Sequence, residues 1–300
     1  MRPSVIVLAA AFALFGVAAR ADPLDTAFLP PMKSAQVHGQ TIRYYDMGTG
    51  PDLVLLHGLG STAAFDWGQV MVPLSKHYHV IAFDQLGFGS SSKPLVAYGV
   101  QTWVDMLDGL LKVRGITHFT LVGESLGGWI AAQYTLQAET NHAMTLPDRL
   151  VLSDAAGHRS LLHAAGKPFA NALSLSGERA GLSMVFHDHA MLTDTFIARA
   201  FASQLASGNG YTVDSFWKTA GDPAMLVDGK LGAITVPTLV VWGAEDQLVP
   251  LADGQDYARN IPNATLVVVP ECGHAPPIEK PAAFLAALAS FLRQAPPKGN

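Results

Sequence analysis

Ser125 lies in Gly123-Glu124-Ser125-Leu126-Gly127, which follows the apolar and β-branched His118-Phe119-Thr120-Leu121-Val122 and opens the helix-like Gly128-Trp129-Ile130-Ala131-Ala132. The pattern puts a serine at a tight strand-to-helix corner, where a Cβ on either flanking glycine would strike the neighbouring strand or helix. Its hydroxyl is pushed out to where a substrate can reach it. The N–H of Leu126 would then begin a helix, and the unpaired donors and dipole of that end favour a developing negative charge.

A serine hydroxyl is a poor nucleophile at neutral pH unless an imidazole takes its proton and a carboxylate orients that imidazole. Both groups occur late in the chain. Thr238-Leu239-Val240-Val241-Trp242 reads as a buried strand, and the turn after it carries Asp246. Residues 264–269 read as another strand, followed by Pro270-Glu271-Cys272-Gly273-His274. Asp246 and His274 thus hang from the carboxyl ends of strands, where open α/β sheets place their ligands. Asp154, after the strand at 150–153, is a rival for the acid. Because the base must be neutral and a free imidazole titrates near about 6.5, activity is expected to fall on acidification.

With this elbow and the order Ser125, Asp246, His274, the chain resembles the α/β-hydrolase superfamily over nearly its whole length after residue 33. Further matching pieces are His57-Gly58-Leu59-Gly60 after the strand at 53–56, and Asp84-Gln85-Leu86-Gly87-Phe88-Gly89-Ser90-Ser91 after that at 79–83. The resemblance implies that the Leu59 N–H joins that of Leu126 in an oxyanion hole. It also implies a helical cap between residues 156 and 232, where strand alternation stops. Phe169, Leu173, Met184, Phe186, Phe196 and Phe216 are candidates there for an apolar pocket or for the cap's own core.

A serine in place of an aspartate at the elbow argues against chemistry that needs an alkyl-ester intermediate. The leading expectation is therefore hydrolysis of a carboxylic ester through an acyl-enzyme, with a small, apolar ester as substrate. Cys272-Gly273-His274 is also similar to hydrolases that cut C–C bonds in ring-opened aromatic diketones. Those commonly carry tryptophan after the histidine, and this chain has Ala275. A lipase and a non-catalytic ligand-binding protein complete the alternatives.

The fold that must position these groups is α/β: a mainly parallel central sheet with helices on both faces. Trp67, Val70, Met71 and Leu74 share a helical face, as do Val100, Trp103, Val104, Leu107, Leu110 and Leu111. Near the end, Pro281 opens a helix with Phe284, Leu285, Leu288 and Leu292 at the same spacing. Residues 37–46 read as one strand. The division that follows is a leader at 1–21, core at 22–155, cap at 156–232, and core again at 233–300. A chain of 300 residues that is 49% hydrophobic has ample material for such a core.

Arg2, the apolar residues 5–19 and Ala19-Arg20-Ala21 read as a secretory signal with an A-x-A cleavage site. Export to a bacterial periplasm or medium is expected, with an uncleaved inner-membrane anchor as the alternative. The full chain carries a formal charge of −5, and cleavage removes two arginines, so nothing favours nucleic acid or an anionic membrane surface. No stable membrane insertion is expected after cleavage. A single cysteine permits no internal disulfide.

No cofactor and no metal is expected. Gly58-Leu59-Gly60-Ser61-Thr62-Ala63 fits a dinucleotide fingerprint with Asp84 about twenty residues on. That reading explains neither the elbow nor the late Asp and His. His57 reads as a brace of its loop, His187-Asp188-His189 as loop residues, Cys272 as a buried thiol and Glu279 as a loop brace. Glu124 reads equally as structural or as tuning the site.

Overall fold

Mostly apolar runs of five or six residues, buried along all or nearly all of their length, set the centre of the molecule, as a sheet covered on both faces requires. The structure is a computed structural model that describes residues 5–7, 22–163 and 174–294. Its strands are β1 (Val5–Val7), β2 (Lys33–Val37), β3 (Gln40–Met47), β4 (Asp52–Leu56), β5 (His79–Phe83), β6 (Phe119–Glu124), β7 (Arg149–Ser153), β8 (Thr238–Gly243) and β9 (Ala264–Val269). They form one sheet in the order β1-β9-β8-β7-β6-β4-β5-β3-β2. Among the described residues only the β2–β3 and β3–β5 pairings are antiparallel. The leader expected at residues 1–21 lies outside the described residues except for β1, whose backbone pairs in parallel with Leu266, Val267 and Val268.

The one strand expected at 37–46 is two. His38 and Gly39 both take positive φ, +48° and +75°, and join β2 to β3 as a two-residue hairpin with Val37 opposite Gln40. Consecutive positive φ values are the geometry of the tight turn that matches strand twist.

The helices are α1 (Ala63–Leu74), α2 (Val100–Arg114), α3 (Leu126–Ala138), α4 (Leu175–Val185), α5 (Asp194–Ser207), α6 (Gly210–Thr219), α7 (Leu251–Asn260), α8 (Pro276–Glu279) and α9 (Pro281–Leu292). Trp67, Val70, Met71 and Leu74 of α1 pack with Phe284, Leu285 and Leu288 of α9 on one sheet face. The expected stripe of α2 packs with Trp129 and Tyr134 of α3 and Tyr257 of α7 on the other. Among the described residues no helix is long and apolar enough to cross a membrane.

Between β7 and β8 the described chain makes only helical elements: α4, α5, α6 and single 3-10 turns. Phe169 and Leu173 lie outside the described residues. The other aromatic candidates there form core. Phe186 and Phe196 pack with Leu192, Ile197, Ala275 and Ile278, and the Phe216 ring lies 5.7 Å from that of Trp103 and 5.9 Å from that of Trp129. Met184 is partly buried against the main core.

Candidate active site

Ser125 joins β6 to α3 at φ +52° and ψ −117°, a region that a residue with a side chain enters only when its surroundings hold it there. Its N–H donates to Ser153 O at 2.9 Å, and its carbonyl accepts from Trp129 and Ala156 at 3.1 and 3.0 Å. The glycines supply the room. A Cβ on Gly123 would meet the backbone of Gly127, and one on Gly127 would meet the carbonyls of Leu56 and His57. Gly127→Ala is therefore expected to lose about 3 kcal/mol of stability by overpacking rigid backbone, read as a lower urea midpoint at unchanged slope.

The three residues expected to converge do so at the carboxyl ends of the strands. His274 Nε2 lies 2.8 Å from Ser125 Oγ, and His274 Nδ1 lies 2.7 Å from Asp246 Oδ2. The other Asp246 oxygen accepts the N–H groups of Leu248 and Val249 at 2.8 and 3.0 Å. A carboxylate held on that side presents its second oxygen to the imidazole, so Nδ1 carries a proton and Nε2 is the acceptor facing serine. His274 is positioned by its own N–H, which donates to Val185 O of α4 at 2.7 Å. Glu279 braces the same loop, its carboxylate accepting from Gly273 N at 2.5 Å and from Asp188 N at 3.0 Å.

Asp154, the rival acid, is buried directly behind this chain. It accepts Gly243 N–H at 2.9 Å and hydrogen-bonds Asp246, and oxygens of Asp154 and Asp246 lie with a ring nitrogen of His274 within 4.8 Å of one another. Burial, then the charge of Asp246, pushes its carboxyl well above the usual range, so Asp154 holds a proton between the two acids.

Leu59 and Leu126 border a recess of about 20 Å³ together with Ser125 and His274, and among the described residues neither backbone N–H has a protein acceptor. The recess has room for about one oxygen-sized group. His57 stands behind the loop. Gln85 N–H can only donate, so Nε2 accepts it at 3.0 Å and Nδ1–H donates to Gly58 O at 2.8 Å. Asp84 spends its oxygens on the N–H groups of Ala63 and Ser90, at 2.9 and 2.7 Å, which assigns it to the turn and not to a ribose. Cys272 is fully buried, and burial followed by the neighbouring Asp154 and Glu279 raises its thiol far above the range of a nucleophile. Asp188 caps Ala190 N, and His189 contacts Ser183 O.

A larger cavity of about 340 Å³ opens in front of Ser125 and His274, with apolar walls from Leu24, Phe65, Leu182, Val185, Ala200 and Ile278. Sequence reasoning did not find Leu24 or Leu182, because pocket walls assembled from distant segments leave no local pattern. It also missed Asp66, which borders the cavity beside Glu124. One signal was present. Asp66 stands four and eight residues before Val70 and Leu74, in line with the buried stripe of α1.

Glu124 is 4% exposed, and burial and then Asp66 push its carboxyl well above the usual range. A carboxyl whose folded pKa is raised binds more protons folded than unfolded, so its contribution to stability is full below about pH 4 and is lost as pH climbs toward the folded value. Stability is thus expected to decline with rising pH above about 4, by up to about 1.4 kcal/mol per pH unit for each such group. Urea unfolding at pH 5 and pH 7 should show a flatter dependence in Glu124→Gln and Asp154→Asn. An unchanged slope in both variants would place the protons elsewhere.

The family described as the alpha/beta hydrolase fold matches residues 51–281. A 2-hydroxy-6-oxo-6-(2'-aminophenyl)hexa-2,4-dienoic acid hydrolase of Metapseudomonas resinovorans is 29% identical over 85% of this chain and 88% of its own. A solved meta-cleavage product hydrolase from Pseudomonas fluorescens IP01, with acetates, superposes at a TM-score of 0.76 with 29% identity, over 87% of this chain and 97% of that one. A solved bacterial membrane phospholipase A superposes at 0.75 with 26% identity, over 91% and 89%.

Proposed function

Since this chain belongs to the alpha/beta hydrolase fold family and several of its relatives are named hydrolases, we propose that it works as a serine hydrolase through Ser125, His274 and Asp246. The observation that carries this reading is the unbroken chain of 2.7 and 2.8 Å contacts from Asp246 through His274 to Ser125 Oγ. Ser125 Oγ adds to a substrate carbonyl carbon as His274 Nε2 takes its proton, and the N–H groups of Leu59 and Leu126 receive the oxyanion. The bond to the leaving group breaks, His274 returns the proton to it, and water repeats the sequence on the acyl-enzyme.

For the bond that is cut, the relatives favour carbon–carbon cleavage in a ring-opened diketone over the ester suggested by the sequence. The leaving carbon would depart as a carbanion stabilised by its own conjugated ketone. Ester hydrolysis is the second reading, and the make-up of the pocket's lining favours it. Its lining includes Asp66, Glu124 and Glu178 and, among the described residues, no lysine or arginine. Among the described residues, the carboxylate of a dienoic acid would find no lysine or arginine there. The membrane phospholipase A neighbour supports the ester reading too.

Purified protein should be assayed on a ring-opened diketone and on esters of graded acyl length, with a fluorophosphonate to label Ser125. Turnover of the diketone alone supports the first reading, and turnover of esters alone supports the second. No turnover and no label would leave a ligand-binding protein. Export remains our proposal from residues 5–21, and the N-terminal mass of protein from the periplasm or medium tests it: a chain starting at Met1 would contradict cleavage.

A further inference from the structure

The nucleophile's neighbour, Glu124, is not used by the steps above, yet it lies between the nucleophile and the oxyanion loop. Its Oε2 sits directly beneath Gly58, where a Cβ would strike it, and its Oε1 lies 3.7 Å from His274 Nε2. The side chain hydrogen-bonds Asp66, which projects from the first turn of α1. Asp66 in turn accepts Gly58 N–H at 2.7 Å on one oxygen and the Ser61 hydroxyl on the other. Gly58 and Ser61 bracket Leu59.

We propose that Glu124, through its hydrogen bond to Asp66, is a positioning residue that fixes the 58–61 loop and aims the Leu59 N–H at the oxyanion. The inference rests on the serine-hydrolase reading. Two carboxyl groups can hydrogen-bond only if one is protonated. Asp66 already takes two donors from the loop, so the proton belongs to Glu124, which donates it. A neutral Glu124 also leaves His274 facing only the negative charge it needs, on the Asp246 side. An ionised Glu124 would repel Asp66 and loosen the loop. Glutamine keeps a donor for Asp66 without a charge, whereas methionine keeps the volume and removes the donor.

The test is the rate at which a fluorophosphonate labels Ser125, which needs no known substrate and also passes through an oxyanion. Glu124→Gln should label within about threefold of wild type. Glu124→Met should label about 10- to 100-fold more slowly, in the maximal rate and not in the half-saturating concentration, as for a misplaced oxyanion donor. Melting temperature is read on the same samples. Should Glu124→Met fail to fold, Asp66→Asn takes its place, because one remaining acceptor oxygen cannot serve three donors, and the same slowing is expected. Equal rates in the Met variant (or its substitute) and wild type would overturn the inference alone, as would a Gln variant as slow as Met. Wild-type protein that takes no label would overturn the serine-hydrolase reading and this inference with it.

Discussion

Replacing Ser125 with alanine is expected to lower turnover about 10⁵- to 10⁶-fold on whichever substrate the protein cuts, with KM nearly unchanged. The magnitude follows from what is removed: one oxygen, 2.8 Å from His274 Nε2, on which every covalent step depends. What remains is the recess beside Leu59 and Leu126 and the walls of the cavity, enough to bind a carbonyl compound but not to form an acyl-enzyme. Folding should survive. The positive φ at position 125 is held by three backbone hydrogen bonds, to Ser153, Trp129 and Ala156, none of which uses the side chain. Alanine accepts that geometry no worse than serine. Turnover, far-UV circular dichroism and fluorophosphonate labelling on one preparation check the prediction. A folded variant retaining a tenth of wild-type turnover would remove Ser125 from the mechanism.

That residue was legible in the sequence because the elbow is local: a six-residue, mostly apolar strand, a serine between glycines, and a helix within about twenty positions. The strands carrying Asp246 and His274 were legible for the same reason, since strands buried on both faces are continuous apolar runs. His38-Gly39 was not. The commonest signature of such a turn is Asn-Gly or Asp-Gly, and histidine at positive φ hides it inside an otherwise strand-like stretch. The fate of the aromatics between β7 and β8 was equally hidden. Periodicity shows that Phe186 and Phe196 face something apolar, but it does not distinguish a wall of the cavity from Ala275 and Ile278 behind it.

The pairing of Glu124 with Asp66 spans 58 positions, and neither residue type announces it. A buried glutamate is costly wherever it occurs, so the sequence shows only that the position is unusual. Its partner becomes visible once β4, α1 and β6 are brought together. The bond type has a different cause. Ester and carbon–carbon cleavage use the same three side chains, and what separates them is the charge and shape of a cavity built from Leu24 to Ile278.

The second large effect is expected at Asp246, and its size depends on Asp154. In a site with a single acid, removing that carboxylate costs about 10⁴-fold in turnover, because the imidazole loses both its tautomer and the charge that stabilises it when protonated. Here two acids share one proton, so the pair carries one negative charge. Asp246→Asn removes the 2.7 Å hydrogen bond to Nδ1 but also removes the second of the two causes that keep Asp154 protonated, leaving its burial. Asp154 then ionises more readily, and once ionised it is a carboxylate within 4.8 Å of the ring nitrogen, facing His274 in an interior with little water to screen it. The loss in Asp246→Asn should therefore be about 10³-fold, smaller than in a single-acid site. Asp154→Asn alone should cost only a few-fold, since its amide still donates to Asp246. The double variant should lose at least about ten-fold more than the sum of the single effects in free energy, the non-additivity expected of groups that share one charge. Turnover of all four proteins at pH 8 measures it, with melting temperatures to set aside unfolded fractions. Purely additive losses would mean that Asp154 fills space behind the site and never carries the charge.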